Sequence, residues 1–143
     1  MSIARLIEGR DGPVISIDAS ANVGEAVALL AGKRIGALPV ISGGAVVGIF
    51  SERDVVYQLK GFGPAMLDKR VDEVMTAPAI TVTRETDVMA ALALMTRRRF
   101  RHLPVVDEGG AMVGFVSIGD LVKYRIDRIE SEAEAMRSYI QMA

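Results

Sequence analysis

The sequence contains the same unit twice. Residues 33–54, KRIGALPVISGGAVVGIFSERD, and residues 97–120, RRRFRHLPVVDEGGAMVGFVSIGD, share a basic helix end, Leu-Pro-Val, a glycine-containing turn, Val-Gly and Ser-x-x-Asp. Matching positions lie 65 residues apart before the turn, as Ile15 and Ile80 do, and 66 apart after it, as Asp54 and Asp120 do. Two tandem copies favour a pseudo-twofold pair of half-domains over a solenoid, which needs three or more repeats.

Each copy is predicted to have the order β-α-β-β-α, because short apolar runs alternate with segments of helical period. In copy one, Asn22 and Glu25 stand at capping-box spacing at the start of a helix. Val55, Val56 and Leu59 are expected to face inward on the last helix, which Gly61 closes. The predicted elements of copy one are a strand at 14–17, a helix at 22–33, hairpin strands at 37–41 and 45–50, and a helix at 51–60.

Copy two is predicted to repeat this order. Its elements are a strand at 80–82, a helix at 86–98, hairpin strands at 102–106 and 111–116, and a helix from Ser117 onward. A short helix is expected between Ser2, its N-cap, and Gly9, and a helical turn at 71–75. We therefore predict a mixed α/β (α+β) chain with a first motif at 1–61, a linker at 62–78, a second motif at 79–124 and a helical extension at 125–143.

The composition excludes several classes of function. The 143 residues carry a formal net charge of −1, so no overall field attracts nucleic acid or an anionic membrane. The absence of cysteine excludes thiolate chemistry and fits a reducing compartment, and one histidine, His102, does not make a histidine-built metal site. No apolar run approaches the roughly 18 residues of a membrane span. We expect a soluble, cytoplasmic protein without nucleic-acid or membrane partners.

The last helix carries an apolar stripe. Ile126, Ile129, Met136 and Ile140 recur at helical spacing between charged residues. A stripe on a terminal helix needs a partner. The periodicity leaves open whether this helix folds back on its own domain or contacts another subunit.

The Ser-x-x-Asp sequence after each hairpin admits two interpretations. Ser51 and Ser117 are good N-caps, and Asp54 and Asp120 stand where the acid of a capping box belongs. A carboxylate in the first turn can instead accept hydrogen bonds from the vicinal hydroxyls of a ligand, while N–H groups at the helix start face an anion. Because the pair recurs after Val-Gly in both copies, both interpretations stay open.

A cationic cluster of Arg97, Arg98, Arg99, Arg101 and His102 surrounds a predicted helix-to-strand junction. The first three arginines suit a helix end, where positive charge compensates the macrodipole. Arg101 and His102 lie past the helix, and for them we favour phosphate binding. Few aromatic residues and no net positive charge argue against a nucleic-acid patch.

No catalytic constellation is present in the sequence. The glycine pairs at 43–44 and 109–110 fit hairpin turns, and no phosphate-binding glycine loop occurs. We find no nucleophile with a base and no metal-ligand cluster, so we predict no enzymatic activity and no metal.

These motifs resemble the cystathionine-β-synthase (CBS) domain family, taken as a tandem pair, the Bateman module, of the free-standing bacterial type. The matching segments are Leu-Pro-Val at 38–40 and 103–105, VVGIFSERD at 46–54, MVGFVSIGD at 112–120 and VDEVMT at 71–76. The resemblance implies two pseudo-twofold-related motifs with sheets packed together, two clefts between them, and flat homodimers. It implies ligands of the adenosine class: AMP, ADP, ATP, NAD(H) or S-adenosyl methionine.

Carried over residue by residue, the resemblance implies two sets of nucleotide-binding positions. In one cleft Asp120 would hold the ribose hydroxyls and Ser117 would lie by the ribose or phosphate. Arg101 and His102 would hold the phosphate. The base would lie near Ile15, Ile35, Gly36 and Ala37, and the mirror cleft would use Ser51, Asp54, Thr76, Ile80 and Leu103. Because copy one has Gly36-Ala37 where copy two has Arg101-His102, the mirror cleft is expected to bind weakly, to bind something different or to stay empty.

We therefore predict a non-enzymatic, homodimeric sensor that takes an adenosine nucleotide, has no covalent cofactor, and signals to an unidentified partner protein. One alternative is a ligand-free dimeric scaffold that acts through its C-terminal helix. The other is a nucleotide-transforming enzyme, which would turn over ATP or NAD.

Overall fold

The structure, a computed structural model, describes residues 1–10 and 12–142. Its α-helices are α1 (Ile3–Glu8), α2 (Val23–Lys33), α3 (Glu52–Phe62), α4 (Val71–Val74), α5 (Val88–Arg98) and α6 (Ile118–Met142), with a 3-10 helix at Gly63–Asp68. Its strands are β1 (Ile17–Asp18), β2 (Ala37–Ser42), β3 (Ala45–Ser51), β4 (His102–Val106) and β5 (Met112–Ser117). The chain divides into two compact units. The sheet unit contains residues 12–83 and 103–115, and the helical unit contains α1, residues 84–102 and the chain from Val116 through α6.

The sheet unit is built on the first hairpin. Strand β1 runs parallel to β2, with Ile17 opposite Val40, and β2 runs antiparallel to β3. Gly43 and Gly44 connect β2 to β3 with φ values of 58° and 80°, the left-handed pair that a two-residue hairpin turn requires. Beneath the sheet, α2 begins at Asn22, whose side chain accepts a hydrogen bond from the Glu25 N–H at 2.8 Å. The predicted cap of α2 is confirmed.

The core of the sheet unit comes from α2, the hairpin and the linker together. Its buried side chains include Val23, Ala26 and Leu30 of α2, Leu38, Val40 and Phe50 of the hairpin, and Met66, Val71 and Val74 of the linker. Two backbone bonds hold the linker against α2: Val23 N–H donates to the Lys69 carbonyl, and Val71 N–H donates to the Ala21 carbonyl. The linker is therefore a structural layer and not a loose connection.

The orientation predicted for α3 is wrong. Val56 and Leu59 are exposed, and only Val55 of the three predicted inward residues packs against the core. The helix also continues through Gly61 to Phe62 and ends at Gly63, whose φ is 62°. Periodicity identified the apolar residues correctly, but it carries no information about which of them the rest of the chain covers.

The helical unit consists of α1, α5 and α6. Helix α6 contacts both α5 and α1, and the buried side chains are Ile3, Val88, Ala91, Met95, Val116 and Leu121. Ser2 occupies the predicted N-cap position of α1 but makes no capping bond through its side chain. Asp87 caps α5 by accepting from the Met89 and Ala90 N–H groups, so this helix starts two residues later than predicted.

The first strand of each copy is shorter than predicted. Strand β1 contains two residues, and Ile15 lies outside it with 37% of its surface exposed. The predicted strand at 80–82 is reduced to a single bridge between Val82 and Val105. Apolar β-branched residues fit extended, partly buried chain whether or not a ladder of hydrogen bonds forms. The sequence pattern therefore predicted longer strands than the structure contains.

Candidate ligand site

Two Ser-x-x-Asp turns are built alike at the strand-to-helix junctions. In turn 1, Ser51 N–H donates to Asp54 Oδ2 at 2.9 Å, and in turn 2, Ser117 N–H donates to Asp120 Oδ2 at 2.8 Å. All four residues are half-buried. The capping interpretation is therefore confirmed for both copies, and the ligand interpretation must be compatible with it.

Backbone bonds tie each turn to the start of the preceding hairpin. Glu52 N–H donates to the Gly36 carbonyl at 3.0 Å, and Ile118 N–H donates to the Arg101 carbonyl at 2.8 Å. These two bonds join equivalent positions of the repeat. Gly36 thus belongs beside turn 1, and Arg101, whose side chain is exposed, belongs beside turn 2.

Turn 1 is completed by the linker. Thr76 Oγ1 donates to Asp54 Oδ1 at 3.1 Å, and the Thr76 backbone pairs with Ile49 through two hydrogen bonds of 2.9 Å. Gly48 permits this approach, because a Cβ there would lie 2.6 Å from Met75 Sδ and 2.8 Å from the Thr76 carbonyl oxygen. The structure thus brings together Ser51, Asp54 and Thr76 of the predicted mirror set.

Turn 2 is completed by Arg10, which is not among the predicted site residues. Arg10 Nη2 lies 2.8 Å from Asp120 Oδ2, and the Asp120 N–H donates to the Ser117 hydroxyl at 3.0 Å. The repeat itself carries the missing signal. Met75 and Thr76 lie in the linker that precedes the first strand of copy two. With the 65-residue offset of the repeat, they correspond to Arg10 and Asp11, which precede the first strand of copy one.

The charge of turn 2 is set by competing effects on Asp120. Burial raises the pKa of its carboxyl, but hydrogen bonds from Ser117 and Arg10 outweigh burial and lower the pKa below its ordinary value. The carboxylate is therefore ionised at neutral pH. An ionised carboxylate that keeps part of its surface accessible is a strong acceptor for hydroxyl donors.

The remaining predicted residues are more scattered. His102 opens β4 and is half-buried, Ala37 opens β2 and is buried, and Ile80 is half-buried outside any strand. Leu103 is completely buried, so its side chain packs in the core.

Within the described residues no group of His, Cys, Asp and Glu side chains could hold a metal ion. None of the helices in the described part of the chain combines the length and apolarity needed to cross a membrane.

Comparison with known proteins identifies the family. The family model for the CBS domain matches residues 10–61 and 71–127, which is most of the sequence. The chain is 36% identical over 136 residues to CBS domain-containing protein CBSX3, mitochondrial, of Arabidopsis thaliana, covering 92% of this chain and 66% of that protein. It is 41% identical over 98 residues to inosine-5′-monophosphate dehydrogenase of Mycobacterium tuberculosis, covering 67% of this chain but 17% of that enzyme. The chain thus spans less than two thirds of either relative.

Solved structures agree in fold. A CBS-domain-containing protein of Agrobacterium tumefaciens is 35% identical, with a TM-score of 0.81 and coverage of 87% of this chain and 99% of that one. CBSX2 in complex with AMP is 28% identical, with a TM-score of 0.68 and coverage of 80% and 88%. A CBS domain pair in complex with 5′-methylthioadenosine and S-adenosyl-L-methionine is 25% identical, with a TM-score of 0.74 and coverage of 87% and 98%. The chain belongs to the CBS domain family, and the predicted α+β fold of a tandem pair is confirmed.

Proposed function

We propose that this CBS domain pair is a non-enzymatic regulatory module that binds an adenosine nucleotide through its Ser-x-x-Asp turns and signals to a partner protein. Two structural relatives hold AMP, or 5′-methylthioadenosine with S-adenosyl-L-methionine, which supports the adenosine class of ligand. AMP, ADP, ATP and NAD(H) are the candidates for this chain.

The observation that carries the proposal is the chemistry of turn 2. An ionised, half-buried carboxylate at Asp120 stands in the first turn of α6 beside the Ser117 hydroxyl. The vicinal hydroxyls of a ribose can donate to this carboxylate, and the positive end of the helix macrodipole favours a nearby phosphate. The ribose and the phosphate of a nucleotide thus both have complementary groups at turn 2.

Positive charge for a phosphate comes from residues around turn 2. Arg101, whose carbonyl oxygen accepts from the first residue of α6, presents an exposed guanidinium side chain. His102 follows Arg101 in the sequence, and the Arg10 guanidinium forms an ion pair with the Asp120 carboxylate. Guanidinium groups hold phosphate oxygens through two parallel hydrogen bonds, so we assign the phosphate to turn 2.

Turn 1 has the same carboxylate but a different neighbour. Asp54 receives the neutral hydroxyl of Thr76, and Gly36-Ala37 stand where copy two has Arg101-His102. We therefore propose that turn 1 binds a nucleotide more weakly than turn 2 or prefers adenosine without phosphate.

Calorimetric titration with AMP, ATP, NADH and S-adenosyl methionine tests the proposal. We expect binding by the wild-type protein, loss of the stronger site in Asp120→Ala, and loss of any weaker site in Asp54→Ala. Asp87→Ala is the matched control, because Asp87 also caps a helix but is outside the predicted site. Equal loss of binding in Asp87→Ala, or no binding by the wild-type protein to any of the four compounds, would reject the sensor.

The ligand-free scaffold remains the second candidate, because one observation favours it. Large apolar residues are exposed on α6, as expected of a surface that acts by protein contact. The scaffold predicts that Asp120→Ala lowers stability without any binding to lose. The enzyme alternative predicts turnover of ATP or NAD on prolonged incubation, and we expect none. A homodimer and a cytoplasmic location stay predictions from the sequence.

A further inference from the structure

The exposed face of α6 has the spacing of a coiled coil. Its apolar residues alternate steps of four and three: Val122, Ile126, Ile129, Ala133, Met136 and Ile140. Exposure of the five large ones ranges from 41% at Val122 to 66% at Ile140. Strict alternation of four and three is the seam of a supercoiled helix pair, narrower than the face of a helix packed on a globular core. We propose that α6 pairs through this stripe with α6 of a second copy, as a parallel, in-register coiled coil. This inference goes beyond the proposed function and gives a definite geometry to the homodimer predicted from the sequence.

The base of α6 is already anchored by its own chain. Leu121 is completely buried, and α6 contacts α5 and α1. Short isolated helices are marginal in water because ordering them costs conformational entropy. Here packing in the helical unit meets part of that cost before the second copy arrives, so a seam of fewer than three heptads can contribute to association.

The charges beside the seam select the parallel orientation. Arg125 and Glu132 flank one side of the stripe, and Glu130 and Arg137 flank the other. In a parallel pair, each residue on the first side faces the residue five positions later in the other helix. Arg125 then faces Glu130 of the second copy, and Glu132 faces its Arg137. Symmetry makes four opposite-charge contacts, and all six stripe positions are covered.

An antiparallel pair is less favourable in either register. With the full stripe overlapped, Glu130 faces Glu130, Glu132 faces Glu132, and Lys123 faces Arg137. A shifted register can match Lys123 with Glu130 and Arg125 with Glu132, but it leaves Met136 and Ile140 uncovered. Within one helix, Glu132 Oε1 lies 3.8 Å from Arg128 Nε, with the Arg128 and Glu132 side chains 46% and 62% exposed. Such a pair contributes little and leaves Glu132 available to the second copy.

Cysteine crosslinking tests the geometry, since the chain has no cysteine of its own. Met136→Cys places a thiol in the seam, where a parallel in-register pair brings the two copies of position 136 together. Ser138→Cys is the matched control, two residues away on the outer face. Both side chains are exposed, so neither change disturbs the monomer. We expect mild oxidation to crosslink Met136→Cys into a covalent dimer much faster than Ser138→Cys. Equal rates would overturn the proposal.

A charge swap in the Met136→Cys background tests the selection of partner and register. Arg137→Glu sets a second carboxylate against Glu132 of the second copy, and we expect crosslinking to slow on the order of tenfold, as two attractive contacts become repulsive. Adding Glu132→Arg restores opposite charges and is expected to restore the rate. Failure of that rescue would overturn the parallel register. Nucleotide titration of the same variants separates the two proposals, because the seam contains none of the ligand residues.

Discussion

Turn 1 and turn 2 have the same capping geometry and different electrostatics. Each aspartate accepts from the N–H of its serine at nearly the same distance, 2.9 Å in turn 1 and 2.8 Å in turn 2. Turn 1 adds the hydroxyl of Thr76, whereas turn 2 adds the guanidinium of Arg10. The repeat thus preserves the backbone frame of the turn and varies the side chain that faces its carboxylate.

The origin of those neighbours is also related by the repeat. Thr76 and Arg10 both belong to the segment that precedes the first strand of a copy, and each segment reaches the turn of the other copy. In this reciprocal arrangement, the connecting segments decide which side chain contacts each carboxylate.

The largest expected effect comes from closing the approach of the linker to turn 1. Gly48→Ala places a Cβ within 2.6 Å of Met75 Sδ and 2.8 Å of the Thr76 carbonyl oxygen, so the linker must move. We expect a loss of about 1–3 kcal/mol in the free energy of unfolding, typical of an overpacked site, measured by urea denaturation. Gly32→Ala is the control, because a Cβ there would meet nothing within 4 Å apart from its chain neighbours and the backbone of its own helix. A stability of Gly48→Ala equal to that of Gly32→Ala would mean that the linker is not held against turn 1.

A smaller effect separates the two carboxylates. Asp54→Ala and Asp120→Ala each remove a capping acid, and we expect losses of about 0.5–2 kcal/mol. Asp120→Ala should cost more near neutral pH, because its additional partner is the charged guanidinium of Arg10 at 2.8 Å, whereas the additional partner of Asp54 is the neutral hydroxyl of Thr76 at 3.1 Å.

The sign of the pH dependence follows from the lowered pKa of Asp120 in the folded protein. Its ionised form stabilises the fold above the ordinary aspartate pKa of about 3.9, and this contribution is lost as the pH falls through the lower, folded-state value. We expect the unfolding free energies of the wild-type protein and Asp120→Ala to converge in that acid range. A difference in unfolding free energy between the two proteins that stays constant from pH 7 down to this acid range would contradict this account.

The smallest effect tests the cation alone. Arg10→Met copies the residue found 65 positions later, Met75, and removes the guanidinium from Asp120. Because the two side chains are 39% and 38% exposed, we expect a loss of only about 0.2–1 kcal/mol. The pKa of the Asp120 carboxyl should rise, because only the hydrogen bonds from Ser117 then lower it.

Carbon-13 NMR of the Asp120 carboxyl measures that change in pKa. Arg5→Met removes the same charge from α1 and serves as the control for net charge. An Asp120 pKa that responds equally to both changes would show that the effect of Arg10 is a general field and not a contact.

Sequence patterns predicted the elements whose signals are local. The Asn22 cap, the glycine turn of the first hairpin and the long α6 depend on neighbours within a few residues, and all three were found as expected. The family followed from the ordered motifs of both copies. Patterns failed at the first strands and at α3, where apolar residues were present but pairing and burial depended on distant chain.

The sequence by itself determined that the chain is a duplicated β-α-β-β-α unit, because capping, turns and periodicity act over a few residues and can be read from the order of residues alone. Only the tertiary structure decided which side chain faces each aspartate. Thr76 reaches Asp54 across 22 positions, and Arg10 reaches Asp120 across more than a hundred. Such contacts depend on where the folded chain places a connecting segment, and local residue propensities do not encode that position.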